Sequence, residues 1–308
     1  MSSTLSEAPA PGGYAAAAYV AALGYRAVPF GATGGHLCLR PIGETGLVDL
    51  GGPYPMFSCA EWGALGAGVA GLEPGPGAPV SLTLVTDPAC PLGEGELAGI
   101  FPICRKLHDH WLIELTRPLA PSRHHRRKLR QGAAGVRIEA RPVRAGDGAA
   151  LAGLYAHLVE RKGIRDARAF ARASLVAQAE LPGAHAVIAY CNEKIVGYDL
   201  YYFYFNRAYA HLSAYAPEGY ALAVSYTMMA AAVEYFAPLA CVIDLGGAPP
   251  GPAGEGMAHF KRGWTEVTAP SWLCGRVLDA AAYARLAPGA GPGGWFPAYR
   301  RGEFARGG

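Results

Sequence analysis

Ile195 to Phe205 constrains the fold more than any other stretch of this chain. It reads Ile-Val-Gly-Tyr-Asp-Leu-Tyr-Tyr-Phe-Tyr-Phe, and β-branched and aromatic residues suit a pleated, buried strand. Asn206-Arg207 turns the chain, and Ala208 to Ala216 returns as a second strand, so a hairpin lies at the centre of a sheet. The surrounding elements follow in order. Val136 to Pro142 is a strand. Gly148 to Lys162 is an amphipathic helix with Leu151, Leu154, Tyr155, Leu158 and Val159 on one face. Ala167 to Leu181 is a second helix, stopped by Pro182-Gly183, and His185 to Tyr190 is a strand. After the hairpin, Pro217-Glu218-Gly219 starts a helix running from about Tyr220 to Phe236.

Cys241-Val242-Ile243 then reads as a short buried strand, closed by Asp244-Leu245-Gly246-Gly247, whose paired glycines permit a sharp exit. A Pro/Gly-rich loop, Ala248 to Gly254, leads to a short helix from Glu255 to Arg262, stopped by Gly263. Trp272 to Leu278 is the final strand. Lys261 falls at the end of the short helix, in a chain with five lysines among its 27 basic residues. A cation at a helix C-terminus is favourable in itself, so the position alone does not distinguish structure from chemistry.

The first 115 residues are mixed α and β with short elements. Residues 1–13 read as a disordered lead. Tyr14 to Leu23 is a helix. Strands are expected at Tyr25 to Phe30, His36 to Pro41, Leu47 to Leu50 and Val80 to Val85. Asp49-Leu50-Gly51-Gly52 runs into a stiff Pro53-Tyr54-Pro55 loop. A helix from Cys59 to Val69 has Ser58 as its N-cap. Residues 86–99 read as loop, followed by two strands, Ile100 to Arg105 and His110 to Leu115. Residues 287–308, Gly/Pro-rich with Trp295, Phe296 and Tyr299, read as a tail that packs loosely or not at all.

Arg117 to Arg130 changes character. Arg117, Arg123, Arg126, Arg127, Lys128 and Arg130 accompany His124 and His125 with no acid, in a chain whose net charge is only +3. Ser122 can cap a helix from Arg123 to about Ala134. Such a helix is either a solvated linker between domains or a phosphate-facing surface. No aromatic residue interleaves the cluster, so it offers backbone contact and not base stacking. His124 and His125 are a poor metal pair, because adjacent helical residues point in different directions.

The composition is that of a globular protein with ample core: 51% hydrophobic and 17% charged residues. Seven cysteines, none two or three residues from another, lack zinc-knuckle or redox spacing and favour reduced thiols in a cytoplasmic protein. No signal peptide is recognisable. The most apolar early run, Ala15 to Leu23, falls far short of the ~20 residues that span a bilayer. A Gly-x-Ser-x-Gly elbow, a Walker loop and an HExxH metal motif are all missing.

The β-α-α-β-β-β-α-β-α-β order of the second half is that of the GNAT acyltransferase fold. The Tyr-rich hairpin at 198–215, Asp244-Leu245-Gly246-Gly247, and Phe260-Lys261 before Gly263-Trp264 resemble the Fem-type branch of that superfamily. The Pro53-Tyr54-Pro55 loop and the basic helix from Ser122 to Gln131 are similar to that family's first domain and bridge. The resemblance implies an α+β chain with two GNAT-like domains in tandem. These are a degenerate one at 14–116 and a second at 136–286, joined by a linking helix at 117–135 and followed by the 287–308 tail.

It also implies transfer of an amino acid from aminoacyl-tRNA to an amine, with no cofactor and no metal. The acceptor would be a small metabolite, a peptide or a peptidoglycan precursor. A helical-hairpin arm is missing and the first domain is short, which tilts the expectation toward a small acceptor, in natural-product assembly. The resemblance places Phe260 and Lys261 at the reaction centre. Lys261 would stabilise the tetrahedral oxygen or hold the tRNA end, and an unperturbed Lys, protonated at neutral pH, is no general base. Phe260 would stack on the terminal adenine, or else is a core aromatic. Arg123, Arg126, Arg127, Lys128 and Arg130 would contact the donor.

Tyr215 is read either as an acid for the leaving hydroxyl or as a strand-end tyrosine. Asp199, odd in so apolar a strand, either receives the acceptor's ammonium or its proton, or faces solvent at an edge. Asp49, Tyr54 and Tyr202 would line the acceptor side. Two other functions compete. One is acetyl-CoA-dependent N-acyl transfer, disfavoured because the Ala216-Pro217-Glu218-Gly219 loop lacks a leading cation, loses an N–H at Pro217 and carries an acid. The other is a basic RNA-binding module without catalysis.

Overall fold

The computed structural model of the protein describes residues 12–131, 134–164, 168–249, 251–289 and 294–303. Its strands are β1 (Arg26–Pro29), β2 (His36–Pro41), β3 (Val48–Gly51), β4 (Ser81–Val85), β5 (Ile103–Glu114), β6 (Val136–Pro142), β7 (Ala184–Cys191), β8 (Lys194–Tyr204), β9 (Arg207–Tyr215), β10 (Val242–Asp244) and β11 (Thr268–Val277). The helices are α1 (Ala17–Ala22), α2 (Leu65–Ala70), α3 (Glu94–Ile100), α4 (Arg123–Gln131), α5 (Asp147–Lys162), α6 (Arg172–Ala179), α7 (Pro217–Ala221), α8 (Val224–Phe236), α9 (Pro252–Arg262) and α10 (Ala280–Leu286). The strands form one sheet, in the order β1-β2-β3-β4-β11-β5-β10-β9-β8-β7-β6. Among the described residues, no helix is long and apolar enough to cross a membrane.

The expected hairpin is β8 and β9, antiparallel, with Tyr202 opposite Tyr209. Side chains of β8 alternate between two cores, as the pleat requires. Tyr198, Leu200, Tyr202 and Tyr204 face α1, α5 and α6. Tyr201 faces α8 and, through Trp264, the end of α9. A third core, built on Phe57, Leu65, Leu82, Leu84 and Phe101, fills the other end of the sheet.

Several elements depart from expectation. The two strands expected around residues 100–115 are one strand, β5. Its polar middle, Lys106 to Asp109, stays extended because β11 pairs along it, with a bulge between Ser271 and Trp272. Residues 86–99 are not all loop: α3 forms, and the Glu96 carboxylate accepts the Gly93 N–H at 2.9 Å. The helix expected from Cys59 is only a 3-10 turn at Trp62–Ala64 followed by α2. Ser58 caps nothing, because its hydroxyl donates to Asp87 at 2.7 Å. The helix expected from Tyr220 is broken into α7 and α8 at Ala223, which has φ +52°. The helix expected from Ala167 is α6 alone, with 167 itself outside the described residues. The C-terminal stretch does not pack loosely. Phe296 is buried against Tyr283, and Tyr299 and Arg300 reach Asp49, as described below; 290–293 and 304–308 lie outside the described residues. So do residues 1–11 of the expected lead, whereas Gly13 is buried beside Tyr204.

The feature that positions the site is the brevity of β10. Its three residues pair antiparallel with β5 (Asp244 opposite Leu112) and parallel with β9 (Asp244 opposite Tyr209). Beyond Asp244 the chain parts from β9 and keeps β5 only through Leu245 and Gly246, which bond Trp111. β5 and β9 continue past Asp244, separated by about two strand spacings, roughly 10 Å. A sheet that opens between two strands exposes backbone and side chains from both edges to one gap.

Candidate functional site

Asp244 stands at the root of the gap. It is almost fully buried, and both its oxygens lie 2.9 Å from His110 Nδ1. It also accepts the Gly246 N–H at 2.6 Å. Burial opposes its charge, but the His110 imidazole, the Gly246 N–H and Lys261 outweigh burial and hold the carboxyl below the usual range. A carboxylate only accepts, so His110 donates from Nδ1. The other ring nitrogen of His110 lies 3.3 Å from His108 Nε2, with the two rings stacked and nearly coplanar in tilt, 4° apart. Burial, then repulsion from His110 and Lys261, lowers the His108 pKa to about 4, so His108 is neutral at physiological pH. A Cβ on Gly247 would lie 2.1 Å from the His108 ring. The second glycine of the Asp244-Leu245-Gly246-Gly247 turn is therefore required by the histidine.

Lys261 enters from α9. It is 9% exposed, and its Nζ donates to Gly247 O at 2.5 Å and sits 5.9 Å from the centre of the Trp111 ring. Burial lowers its pKa to about 8, against the pull of Asp244. The expectation of an unperturbed lysine is thereby corrected. At pH 7 the cation outnumbers the amine by roughly ten to one, and at pH 8 the two forms are about equal. Next to this group is a cavity of about 410 Å³ lined by His108, Asp109, Trp111, Ala248, Arg262, Glu266 and Thr268.

The basic helix is clamped to the same α9. Ser122 caps α4, its hydroxyl oxygen accepting the His125 N–H at 3.3 Å. Buried His125 bridges the two helices. Its Nε2 donates to Phe260 O at 2.9 Å, while its Nδ1 accepts from the Ser122 hydroxyl at 3.0 Å. Ser122 N–H donates to Gly263 O at 2.8 Å, and a Cβ on Gly263 would collide with the His125 ring. The Phe260 ring already has three aromatic neighbours: His125, Tyr226 and Trp264, at 5.3 to 6.0 Å. On the outer side, Arg123, Arg126, Arg127 and Arg130 are exposed and Lys128 is half-buried. Among the described residues no carboxylate pairs with any of the five; Arg126 bonds only to Pro121 O.

The remaining expected residues fall elsewhere. Asp199 is buried, not solvent-facing, and accepts from the Tyr215 hydroxyl at 2.8 Å. Burial pushes its pKa up to about 6. Tyr215 lines a smaller cavity of about 200 Å³ at the start of α8, with Tyr220, Ser225 and Tyr226. Tyr202 is a core tyrosine whose hydroxyl donates to Gln178 O at 2.9 Å. Tyr54 offers its carbonyl to the Tyr19 hydroxyl, and its ring lies 6.0 Å from Phe170. Asp49 is fully buried and bound by Arg40, Arg300 and Tyr299 at 2.7 to 3.3 Å. It lies on β3, four strand positions from β10, or roughly 19 Å. The structure brings Lys261 to Asp244, Phe260 to α4 and Tyr215 to Asp199. It does not bring Asp49, Tyr54 and Tyr202 together around Lys261.

Sequence reasoning missed His108, His110 and Asp87. The first two carried a signal: histidines two apart on one strand point to the same face. Asp87, just past β4, is buried and accepts from Ser58, Tyr209 and Ala89 N–H at 2.7 to 2.8 Å. Burial, and less so the nearby Asp244 charge, raises its carboxyl pKa despite those bonds.

Residues 121–262 match the acetyltransferase (GNAT) domain family. No curated protein matches the sequence at a significant level. Among solved structures, the chain is similar to FemX at a TM-score of 0.60, with 14% identity over 87% of this chain and 92% of that one. It is also similar to the C-terminal domain of a putative lysylphosphatidylglycerol synthetase from Agrobacterium fabrum (TM-score 0.55, 14% identity, 86% and 88% covered). L-PGS from Bacillus licheniformis matches at 0.55, with 15% identity and the same coverage. The fold is thus of the GNAT acyltransferase type, a mixed and mostly antiparallel sheet flanked by helices, and Lys261, Phe260 and α4 all fall in or beside the matched segment.

Proposed function

We propose that the protein transfers an aminoacyl group from aminoacyl-tRNA to an amine of a small acceptor. One observation carries this reading. The helix that bears Lys261 is bolted through His125 to a helix whose outer face holds four exposed arginines with no acidic partner among the described residues. Unpaired cations on a rigid helix suit a phosphate backbone, and here they are fixed relative to a buried cation beside a cavity. The similarity in fold to FemX supports the same reading.

Aminolysis of an ester forms a C–N bond, breaks the C–O bond to the ribose, and moves one proton from the amine to the departing hydroxyl. The tetrahedral oxygen carries the negative charge between those steps. Lys261, mostly cationic at pH 7 and shielded from water, answers that charge. The acceptor amine enters through the cavity at His108 and Trp111.

Acyl-CoA is the competing donor, and the family's description favours it. At the start of α7, where a GNAT fold would present N–H groups to a pyrophosphate, Pro217 occupies the first turn and Glu218 adds an acid. The deciding experiment offers the protein a pool of aminoacyl-tRNA and, separately, acetyl-CoA, each with a panel of small amines. Loss of the aminoacyl ester faster than its spontaneous hydrolysis, with an amide product, is expected. Consumption of acetyl-CoA with aminoacyl-tRNA left intact would sink the proposal.

A further inference from the structure

We propose that His108 is the base that takes the proton from the acceptor amine, and that His110 and Asp244 set its tautomer and receive its charge. This rests on the acyl-transfer reading above. It starts from a hydrogen-bond chain whose direction is determined at one end. Asp244 only accepts, so His110 holds its proton on Nδ1. In the relay proposed here the His110 ring carries that one proton, so its Nε2 accepts, and among the described residues the group that reaches it is His108 Nε2–H, 3.3 Å away. That leaves the lone pair of His108 on Nδ1. Among the described residues Nδ1 has no hydrogen-bond partner, and His108 lines the 410 Å³ cavity.

Three further features belong with a built relay. Gly247 makes room for the His108 ring. The Ser271 hydroxyl donates to His108 O at 3.2 Å and fixes the strand at that residue. The pair lies on the edge of β5 that faces the gap left by β10.

The groups facing His108 come from every side. His110 and Asp109 are on its own strand, Asp244 is on β10, Lys261 and Arg262 are on α9, and Glu266 follows α9. Burial first, and Lys261 after it, keep the imidazole neutral before reaction. When the amine attacks the ester carbon, its proton passes to His108 Nδ1. The resulting imidazolium is drawn toward Asp244 through His110. The C–O bond then breaks, and the ribose oxygen leaves with a proton returned from the imidazolium. No oxidant or further reactant is needed.

The first test needs no substrate. Nitrogen-15 spectra of the histidine rings near pH 7 should show His108 protonated on Nε2 and bare on Nδ1, and His110 protonated on Nδ1. In Asp244→Asn the fixed tautomers should be lost, and Asp244→Glu should restore them. His108 protonated on Nδ1 in the wild type would overturn the relay. Turnover is then measured with whichever donor the wild type consumes. His108→Ala should lower kcat at least 100-fold with the donor KM within threefold, and added imidazole should recover part of the rate. His110→Gln should move the acid limb of the kcat/KM profile. A His108→Ala rate within threefold of wild type, or a loss that imidazole leaves untouched, would overturn the assignment. The ring spectra do not depend on the donor, so failure of the relay and failure of the acyl-transfer reading are told apart.

Discussion

The tetrapeptide Asp-Leu-Gly-Gly occurs twice, at 49–52 and 244–247, with opposite fates. Each aspartate ends up buried on a short strand with one antiparallel and one parallel neighbour. In each case a glycine admits a side chain that a Cβ would exclude: the Arg40 guanidinium at Gly51 and the His108 ring at Gly247. The first aspartate is saturated by two arginines and a tyrosine, with paired strands on both sides. The second receives an imidazole from a strand edge that faces a gap, and a lysine reaches its turn from outside. A buried carboxylate closed by guanidinium groups is a rivet. The same carboxylate tied to an imidazole pair and approached by a lysine beside a cavity is a candidate site.

The largest expected effect breaks the rivet. Asp49→Ala leaves Arg40 and Arg300 without their buried partner and should cost about 3–5 kcal/mol in denaturant unfolding. It should also free the segment around Phe296 to Arg300 to proteolysis. If stability instead barely changes while transfer is lost, Asp49 serves the acceptor, as the resemblance implies, and the contrast between the two tetrapeptides fails. The mirror experiment is Lys261→Met. Transfer should fall ~10²–10³-fold, the scale of one lost oxyanion donor, with unfolding little altered because relief of a buried cation offsets the lost bond to Gly247 O. Full activity in that variant would move the chemistry away from α9.

These contrasts also explain what could be read beforehand. The β8–β9 hairpin, α5 and the α4 cap are local in sequence, and their periodicity or capping residue is visible within a dozen positions. Lys261 stood out through its rarity and its place before Gly263. His110 and Asp244 are 134 residues apart, and Asp49 and Arg300 are 251 apart. No local pattern announces such pairs, so the relay was missed and the C-terminal segment was read as loose. The polar run at 106–109 looked like a break in a strand for the same reason: its pairing partner, β11, comes 160 residues later in the chain, as the Ser271–His108 contact shows (163 residues).

Acid should loosen the fold around the second tetrapeptide. His108 titrates at about 4 when folded, and its unfolded value is near 6.5. Between these limits the unfolded chain binds the extra proton, so stability is lost as pH falls through that window. The loss from this one group is about 1.5 kcal/mol between pH 6.5 and 5. His211, partly buried and pushed down to about 3, adds a loss in the same direction. His108→Gln should flatten the curve relative to wild type by His108's share. Identical pH dependence in the two proteins would mean that His108 already titrates normally in the fold.

The smallest effect concerns the one device that only the Asp244 side possesses, the clamped basic helix. Arg126 and Arg127 are exposed and lack carboxylate partners among the described residues, so replacing both by Glu should leave folding within about 0.5 kcal/mol. If they neutralise tRNA phosphates, each contact removed lowers the slope of log affinity against log salt by about 0.7–0.9. The double variant should therefore show a slope shallower by roughly 1.5 and a KM for aminoacyl-tRNA raised about tenfold in low salt. Its kcat at saturating donor should hold, because Lys261 and the His125 clamp are untouched. An unchanged slope with normal turnover would put the tRNA on another surface and leave α4 as a linker held by His125. A lowered kcat with an unchanged slope would instead mean that the helix acts through the clamp, tilting α9 and with it Lys261.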